Sequence, residues 1–321
     1  VVLGTDVFDR FLAENDLLDF AIESKDDDEI RRRFHEATFP EDIRADLAAY
    51  LDLIRYPVAV RSSSLLEDSP YQPFAGIYET YMLPNNEEDL VLRLEQLIAS
   101  VKQVYASTFS EHAKAYLEAT PYRLEEEKMA VIIQKIVGTV RGNRLYPDFS
   151  GVVRSHNFYP TAPMKAEDGI AAVALGLGKT VVEGETCLRF CPRYPRHLVQ
   201  FSSVDELLQN SQRAFYALKL DGETEILSPE MAVRRYDLEV AEEDGVLAYL
   251  GSTYSPENDA VYDGLSRSGP RLVSFAPLLK HDLFPLADLL SFLTEMGTWG
   301  TSSDVEIEFA VNLSTPPGEP K

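Results

Sequence analysis

Arg61 and the three hydroxyl residues that follow it, Ser62, Ser63 and Ser64, end an apolar run, Tyr56-Pro57-Val58-Ala59-Val60, and are followed by the small-residue turn Pro73-Phe74-Ala75-Gly76. That combination suits a phosphate. Arginine offers a planar, permanently charged fork to phosphoryl oxygens. Hydroxyls and free backbone N–H groups add neutral donors, and glycine lets the backbone come close. Shape alone leaves a solvated loop as the simpler alternative. A second constellation lies far along the chain, where Glu306 and Glu308 alternate with Val305, Ile307 and Phe309. A strand places those two carboxylates on one face and the apolar residues on the other. Two carboxylates so placed can share a hard cation, and Mg2+, which keeps phosphate and water in its shell, needs only one or two. The pattern alone equally describes a half-exposed strand with a solvated acidic face. The run Val131 to Val137 is a third candidate, because its end can offer adenine a flat apolar slot with backbone donors and acceptors at one edge. An ordinary buried strand would read the same way.

The order of these pieces resembles the nucleotide-binding domain of the pyruvate phosphate dikinase and phosphoenolpyruvate synthase family. Val60-Arg61-Ser62-Ser63, Glu67-Asp68 and Phe74-Ala75-Gly76 match its phosphate loop. Gln134-Lys135-Ile136-Val137 is similar to its Gln-Lys-Met-Val strand end, and Ser150-Gly151-Val152-Val153 to its Ser-Gly-Val-Met. Gly176-Leu177-Gly178 with Val181-Val182-Glu183-Gly184 resembles its glycine turn, and Val305-Glu306-Ile307-Glu308-Phe309 its Asp-Ile-Glu strand.

The resemblance implies an α+β ATP-grasp fold of two lobes, residues 1–122 and 123–321, with the nucleotide cleft between them. It implies that Arg61, Ser62, Ser63, Ser64, Ala75 and Gly76 embrace the triphosphate, that Gln134, Lys135 and Val137 line the adenine slot, and that Glu306 and Glu308 hold Mg2+. The implied reaction moves phosphoryl from Mg·ATP to a histidine on a separate domain, and on to pyruvate or a similar acceptor. Glucan dikinases and rifampicin phosphotransferases resemble the same lobe, so the acceptor stays open, as does a nucleotide-sensing module without catalysis.

Two positions depart from the family. Lys179 stands where a glutamate is associated with the ribose hydroxyls, and a lysine cannot accept those hydrogen bonds, so either Glu183 or Glu185 takes over or nucleotide binding is altered. Arg154 replaces an aromatic residue and reads either as a phosphate contact or as a surface charge. A Walker loop is excluded on spacing, since Val173 occupies the glycine position that Gly178-Lys179-Thr180 would require. The five histidines lie in no Gly-Gly-x-x-Ser-His context. Together with the lack of an upstream Gly-Gly-Lys-Gly and a downstream Gln-x-Arg, this implies a piece of a longer protein whose phosphohistidine and pyruvate domains lie elsewhere.

With 30 basic against 53 acidic residues the net charge is -23, which repels nucleic acid and anionic membrane. A polyanionic nucleotide meets the same field, so local cations and divalent metal must override it. The acidic runs Asp26 to Glu29 and Glu125 to Glu127 read as solvated. Cys187 and Cys191 are too few for a disulfide framework and read as reduced thiols. No signal sequence or long apolar run is present, and a cytoplasmic protein is expected.

The elements that must position these groups follow from periodicity. Val1 to Leu3 reads as a strand entering a helix capped by Thr5 or Asp6, with Phe8, Phe11 and Leu12 on one face. Helices are expected over Asp26–His35 and Pro40–Ile54 and twice within Glu87–Ala119, with a strand at Ile77–Leu83. From Lys128 short strands dominate, at Met129–Val137, Gly151–Val153, Ile170–Leu175 and Ala248–Tyr254, with charged helical stretches at Ser203–Gln209 and His281–Met296. The absence of a regular βαβ repeat favours α+β over a doubly wound sheet.

Overall fold

The computed structural model describes residues 1–64, 66–67, 77–118, 120, 123–221 and 232–313. Ala75 and Gly76, with Asp68 and Phe74, lie outside these. The chain divides into two compact units, Val1–Ile136 with Leu218–Val233, and Val137–Ala217 with Arg234–Lys321.

Unit 1 contains β1 (Val2–Leu3), α1 (Thr5–Glu14), α2 (Leu18–Glu23), α3 (Asp27–Glu36), α4 (Glu41–Leu53), β2 (Val58–Ser63), β3 (Thr80–Leu83), α5 (Leu90–Ser107), α6 (Glu111–Glu118) and β4 (Ala130–Lys135). Its sheet has the order β1-β4-β2-β3. Pairing of β4 with β1 and β2, antiparallel in both cases, carries the unit past the expected division at residue 122 to Ile136. The core is aromatic. Phe8, Phe11, Phe34, Tyr105 and Phe109 are all at most 1% exposed and meet in edge-on, tilted and stacked contacts. Each such side chain contributes about 1.5–3 kcal/mol of burial, an upper range. Helix α1 begins after Gly4, which makes no side-chain cap, rather than after a Thr5 or Asp6 cap. Arg93 of α5, fully buried, donates to the carbonyls of Leu51 and Ile54 and to Asn85 Oδ1. It thereby adds donors to the carbonyls at the end of α4 and ties down the chain just before β2.

Unit 2 holds β5 (Thr139–Arg141), β6 (Arg144–Tyr146), β7 (Phe149–Arg154), β8 (Ile170–Leu175), α7 (Lys179–Val182), β9 (Leu188–Phe190), α8 (Val204–Asn210), β10 (Ala214–Lys219), β11 (Val233–Asp237), α9 (Leu238–Glu243), α10 (Leu247–Leu250), β12 (Gly251–Ser255), β13 (Ala260–Asp263), β14 (Arg271–Val273), α11 (Ala276–Leu279), α12 (Leu286–Thr301) and β15 (Glu306–Val311); β10 and β11 run across the division. The sheet that matters for chemistry is β15-β7-β8-β9, with β15 at its edge. Antiparallel pairing throughout this sheet, with helices and strands mixed, makes the fold α+β. The expected strand Ala248–Tyr254 is half wrong: Leu247 and Leu250, three apart and both fully buried, close the helical turn α10 before β12 begins. Cys187 and Cys191 are free and buried. No helix among the described residues is long and apolar enough to cross a membrane.

Candidate functional site

Strand β2 lies between β4 and β3, and its residues Val58, Ala59 and Val60 are buried. Arg61 follows, opposite Thr80 on one side and Ile132 on the other, at intermediate exposure. The hydroxyls beyond it are not equivalent. Ser62 Oγ donates to Glu67 Oε1 at 2.8 Å, and Glu67 Oε2 accepts from the Ser64 N–H at 3.0 Å. Ser64 is 6% exposed, and its Oγ accepts from the N–H groups of Leu66 and Glu67. Two of the three expected phosphate hydroxyls are thus engaged in shaping the turn after β2. Ser63 is partly exposed and carries no such tie among the described residues.

Behind this turn sits a group that the sequence reading placed in solvent. Glu127 is 9% exposed and accepts from the Tyr78 hydroxyl at 3.0 Å. Glu125 and Glu126 lie in a short 3-10 turn with no buried residue, so only the last of the three acidic residues departs from the expectation. The signal was present in the alternation: Glu127, Met129, Val131 and Ile133 are every second residue into β4, and all are buried. Period-two spacing puts them on one face. Burial pushes the Glu127 carboxyl above its ordinary value, opposed by hydrogen bonds from Ser64 and Tyr78.

Gln134 and Lys135 end β4, both exposed, with the Lys135 ammonium 5.3 Å from the centre of the Tyr56 ring. Val137, the first residue of unit 2, is 45% exposed.

Within unit 2, Glu306 and Glu308 are the exposed alternates of β15, as their spacing requires, while Ile307 and Phe309 are half-buried. Glu306 stands opposite Arg154 of β7, and the guanidinium grips its carboxylate with two hydrogen bonds, at 2.7 and 3.1 Å. Arg154 is therefore an exposed charge paired with a proposed metal ligand, in keeping with the surface-charge reading. Among the described residues no three His, Cys, Asp or Glu side chains gather as a metal cluster. The glycines of the neighbouring motifs have steric reasons. A Cβ on Gly151 would lie 2.4 Å from the Ala172 carbonyl oxygen across the β7–β8 ladder. Gly176 has φ +84°, and a Cβ there would lie 2.7 Å from the Tyr216 carbonyl oxygen.

The turn that follows carries the ribose question. Lys179 forms an i,i+4 ion pair with Glu183, and its ammonium lies 5.6 Å from the centre of the Tyr216 ring. Glu185 accepts from the Tyr216 hydroxyl at 2.5 Å, a bond that, with burial, pushes this phenol up to about 12. Both candidate replacements for the family glutamate are thus partnered, and Tyr216 is a member of the cluster that motif reading missed. A cavity of about 1050 Å³ opens beside α12, lined among others by His156, Arg193, Thr294 and Trp299. It touches the carboxylate strand's neighbourhood at Arg154 but includes neither Glu306 nor Glu308, so its size does not make it the metal site.

Comparison with known proteins finds relatives among phosphotransferases. The chain is 27% identical over 57% of its length to an uncharacterized phosphotransferase, YvkC, of Bacillus subtilis. It is 27% identical over 49% of its length to the rifampicin phosphotransferase of Bacillus cereus, and 30% identical over 65% to the phosphoenolpyruvate synthase of Aeropyrum pernix. The matched regions cover 20%, 16% and 24% of these three relatives, so the chain spans at most about a quarter of their length. The family described as pyruvate phosphate dikinase, AMP/ATP-binding domain, matches residues 1–314, and the chain belongs to that family.

Proposed function

We propose that this chain binds Mg·ATP and serves as the nucleotide-binding part of a phosphotransferase that passes phosphoryl to a histidine on another domain. The observation that carries the reading is the seating of Arg61 at the end of a central strand whose following turn is held by Glu67, in a chain matching an AMP/ATP-binding family over nearly its whole length. Arg61 and Ser63, with backbone N–H groups of the following turn, bind the phosphates. Ser62 and Ser64 shape that turn. Gln134, Lys135 and Val137 hold adenine, and the final acceptor is pyruvate or a similar small molecule.

Glu306 and Glu308 fit Mg2+ chemically: both are exposed oxygen donors on one strand face and would hold the ion alongside substrate phosphate and water. Bound there, the ion neutralises phosphate charge, which in phosphoryl transfer is a large part of catalysis. Arg154 competes with the metal for Glu306. Against a net charge of -23, Arg61 and the metal are what make a polyanion's approach favourable.

The test is calorimetric titration of the chain with ATP in Mg2+ and in excess chelator. Saturable binding that weakens on chelation is expected, and no binding in either buffer contradicts the reading. A second reading, a nucleotide sensor without transfer, draws on the Lys179–Glu183 pair at the ribose position. ATP labelled at its β-phosphate, offered to the protein together with its histidine-bearing domain, separates the two: a labelled histidine supports transfer, and tight binding without label supports the sensor.

A further inference from the structure

Both ends of the segment between β2 and β3 reach one buried carboxyl. Ser64, the first residue after β2, and Tyr78, two residues before β3, are each 6% exposed. The Tyr78 hydroxyl donates to Glu127 Oε1 at 3.0 Å, and the Ser64 hydroxyl lies near enough to the same carboxyl to oppose the upward shift that burial gives it. From Ser64 the connections continue toward the phosphate edge. Its N–H donates to Glu67 Oε2 at 3.0 Å, and Glu67 Oε1 accepts from Ser62 Oγ at 2.8 Å, one residue from Arg61. Glu127 is rooted on the other side by the buried alternation that leads into β4, which pairs with β2 along Arg61↔Ile132 and Ser62↔Val131.

A buried carboxyl without donors is costly, so Glu127 holds Ser64 and Tyr78 as firmly as they hold it. Burial also drives the Tyr78 hydroxyl well above its usual range.

We propose that Glu127 is a positioning residue for phosphate binding, acting through Ser64 and Glu67 on the Arg61-Ser62 edge and through Tyr78 on the start of β3. The inference rests on the nucleotide reading above and adds to it a residue that touches no ligand. Its signature is selectivity for the phosphate chain over the adenosine end.

The experiment titrates Mg·ATP and AMP into the 321-residue chain and its Glu127→Ala, Glu127→Gln, Tyr78→Phe and Arg61→Ala variants. Glu127→Ala is expected to weaken Mg·ATP by about tenfold, within the range of coupling energies for one hydrogen-bonded network, with AMP changed less than about twofold. Glu127→Gln, which keeps an acceptor and adds a donor, is expected to recover most of the loss. Tyr78→Phe, which removes the hydroxyl without opening a cavity, is expected to give a smaller loss with the same ATP selectivity. Equal weakening of ATP and AMP by Glu127→Ala and Tyr78→Phe alike would reduce Glu127 to a folding residue and overturn the inference. Unchanged ATP affinity in Glu127→Ala alongside a loss in Arg61→Ala would overturn it while sparing the nucleotide reading. Failure of the unmodified chain to bind either nucleotide would remove both.

Discussion

Glu127 and Glu67 in unit 1, and Glu306 and Glu308 in unit 2, are the same chemical group in opposite settings. The first pair sits at the turn after β2, one buried and one half-buried, with lone pairs committed to hydroxyls and a backbone N–H. The second pair projects from an edge strand into solvent, with an arginine across the ladder at Glu306. The first pair is engaged by hydroxyl and backbone amide donors, whereas the second lies exposed on a strand face, where Glu306 is held by an arginine. A motif that names only residue types cannot separate these roles; burial and partners do.

The largest way to test this contrast acts on the frame of unit 2. Gly176→Ala combines a positive φ with a Cβ 2.7 Å from a carbonyl oxygen, and is expected to destabilise the chain by about 2–4 kcal/mol in urea unfolding. A loss below about 0.5 kcal/mol would mean that the turn readily relaxes. Next in size, the double change Glu306→Gln, Glu308→Gln is expected to weaken Mg2+-dependent ATP binding by at least about tenfold, with metal-free binding unaffected. If Mg2+ dependence survives, the exposed pair has no claim on the metal.

The pH dependence of stability sharpens the other half. Glu127 is raised by burial, so the sign is opposite to that of a salt-bridged carboxylate. Its contribution is fully present below the unfolded value near 4.5 and is lost as pH rises through the higher folded value. Glu127→Gln is expected to flatten that decline, measured as the difference in unfolding free energy between variant and parent across pH 4 to 8. An unchanged slope would show that the carboxyl is not desolvated. The smallest effect is expected from Arg154→Ala. An ion pair this exposed contributes no more than about 1 kcal/mol to stability, but its removal frees Glu306 and is expected to tighten Mg2+ binding. Weaker Mg2+ binding would make Arg154 a participant rather than a competitor.

Much of the frame was legible because it rests on periodicity. Helices α3, α4, α5, α6, α8 and α12, and strands β4, β7, β8 and β15, fall where apolar spacing placed them, and the same-face placement of Glu306 and Glu308 follows from a period of two. The turn α10 was not legible, since Leu247 and Leu250 are apolar in either conformation and only packing selects the helix. The division after Ile136 depends on β4 pairing with β2, a long-range choice that no local composition shift marks. In the site, the residue types were readable while their engagement was not. Ser64 and Glu127 look like a loop hydroxyl and a solvated acid, and only the fold makes them partners. Tyr216 was missed because its link to Glu185 and Lys179 joins distant stretches of chain.

The central claim is that Arg61 meets nucleotide phosphate. Calorimetric titration of Mg·ATP into the parent chain and Arg61→Ala tests it most directly. The account predicts binding weaker by about 1.5–3 kcal/mol in the variant, the range for a charge-assisted hydrogen bond. Equal affinities in the two proteins would contradict it.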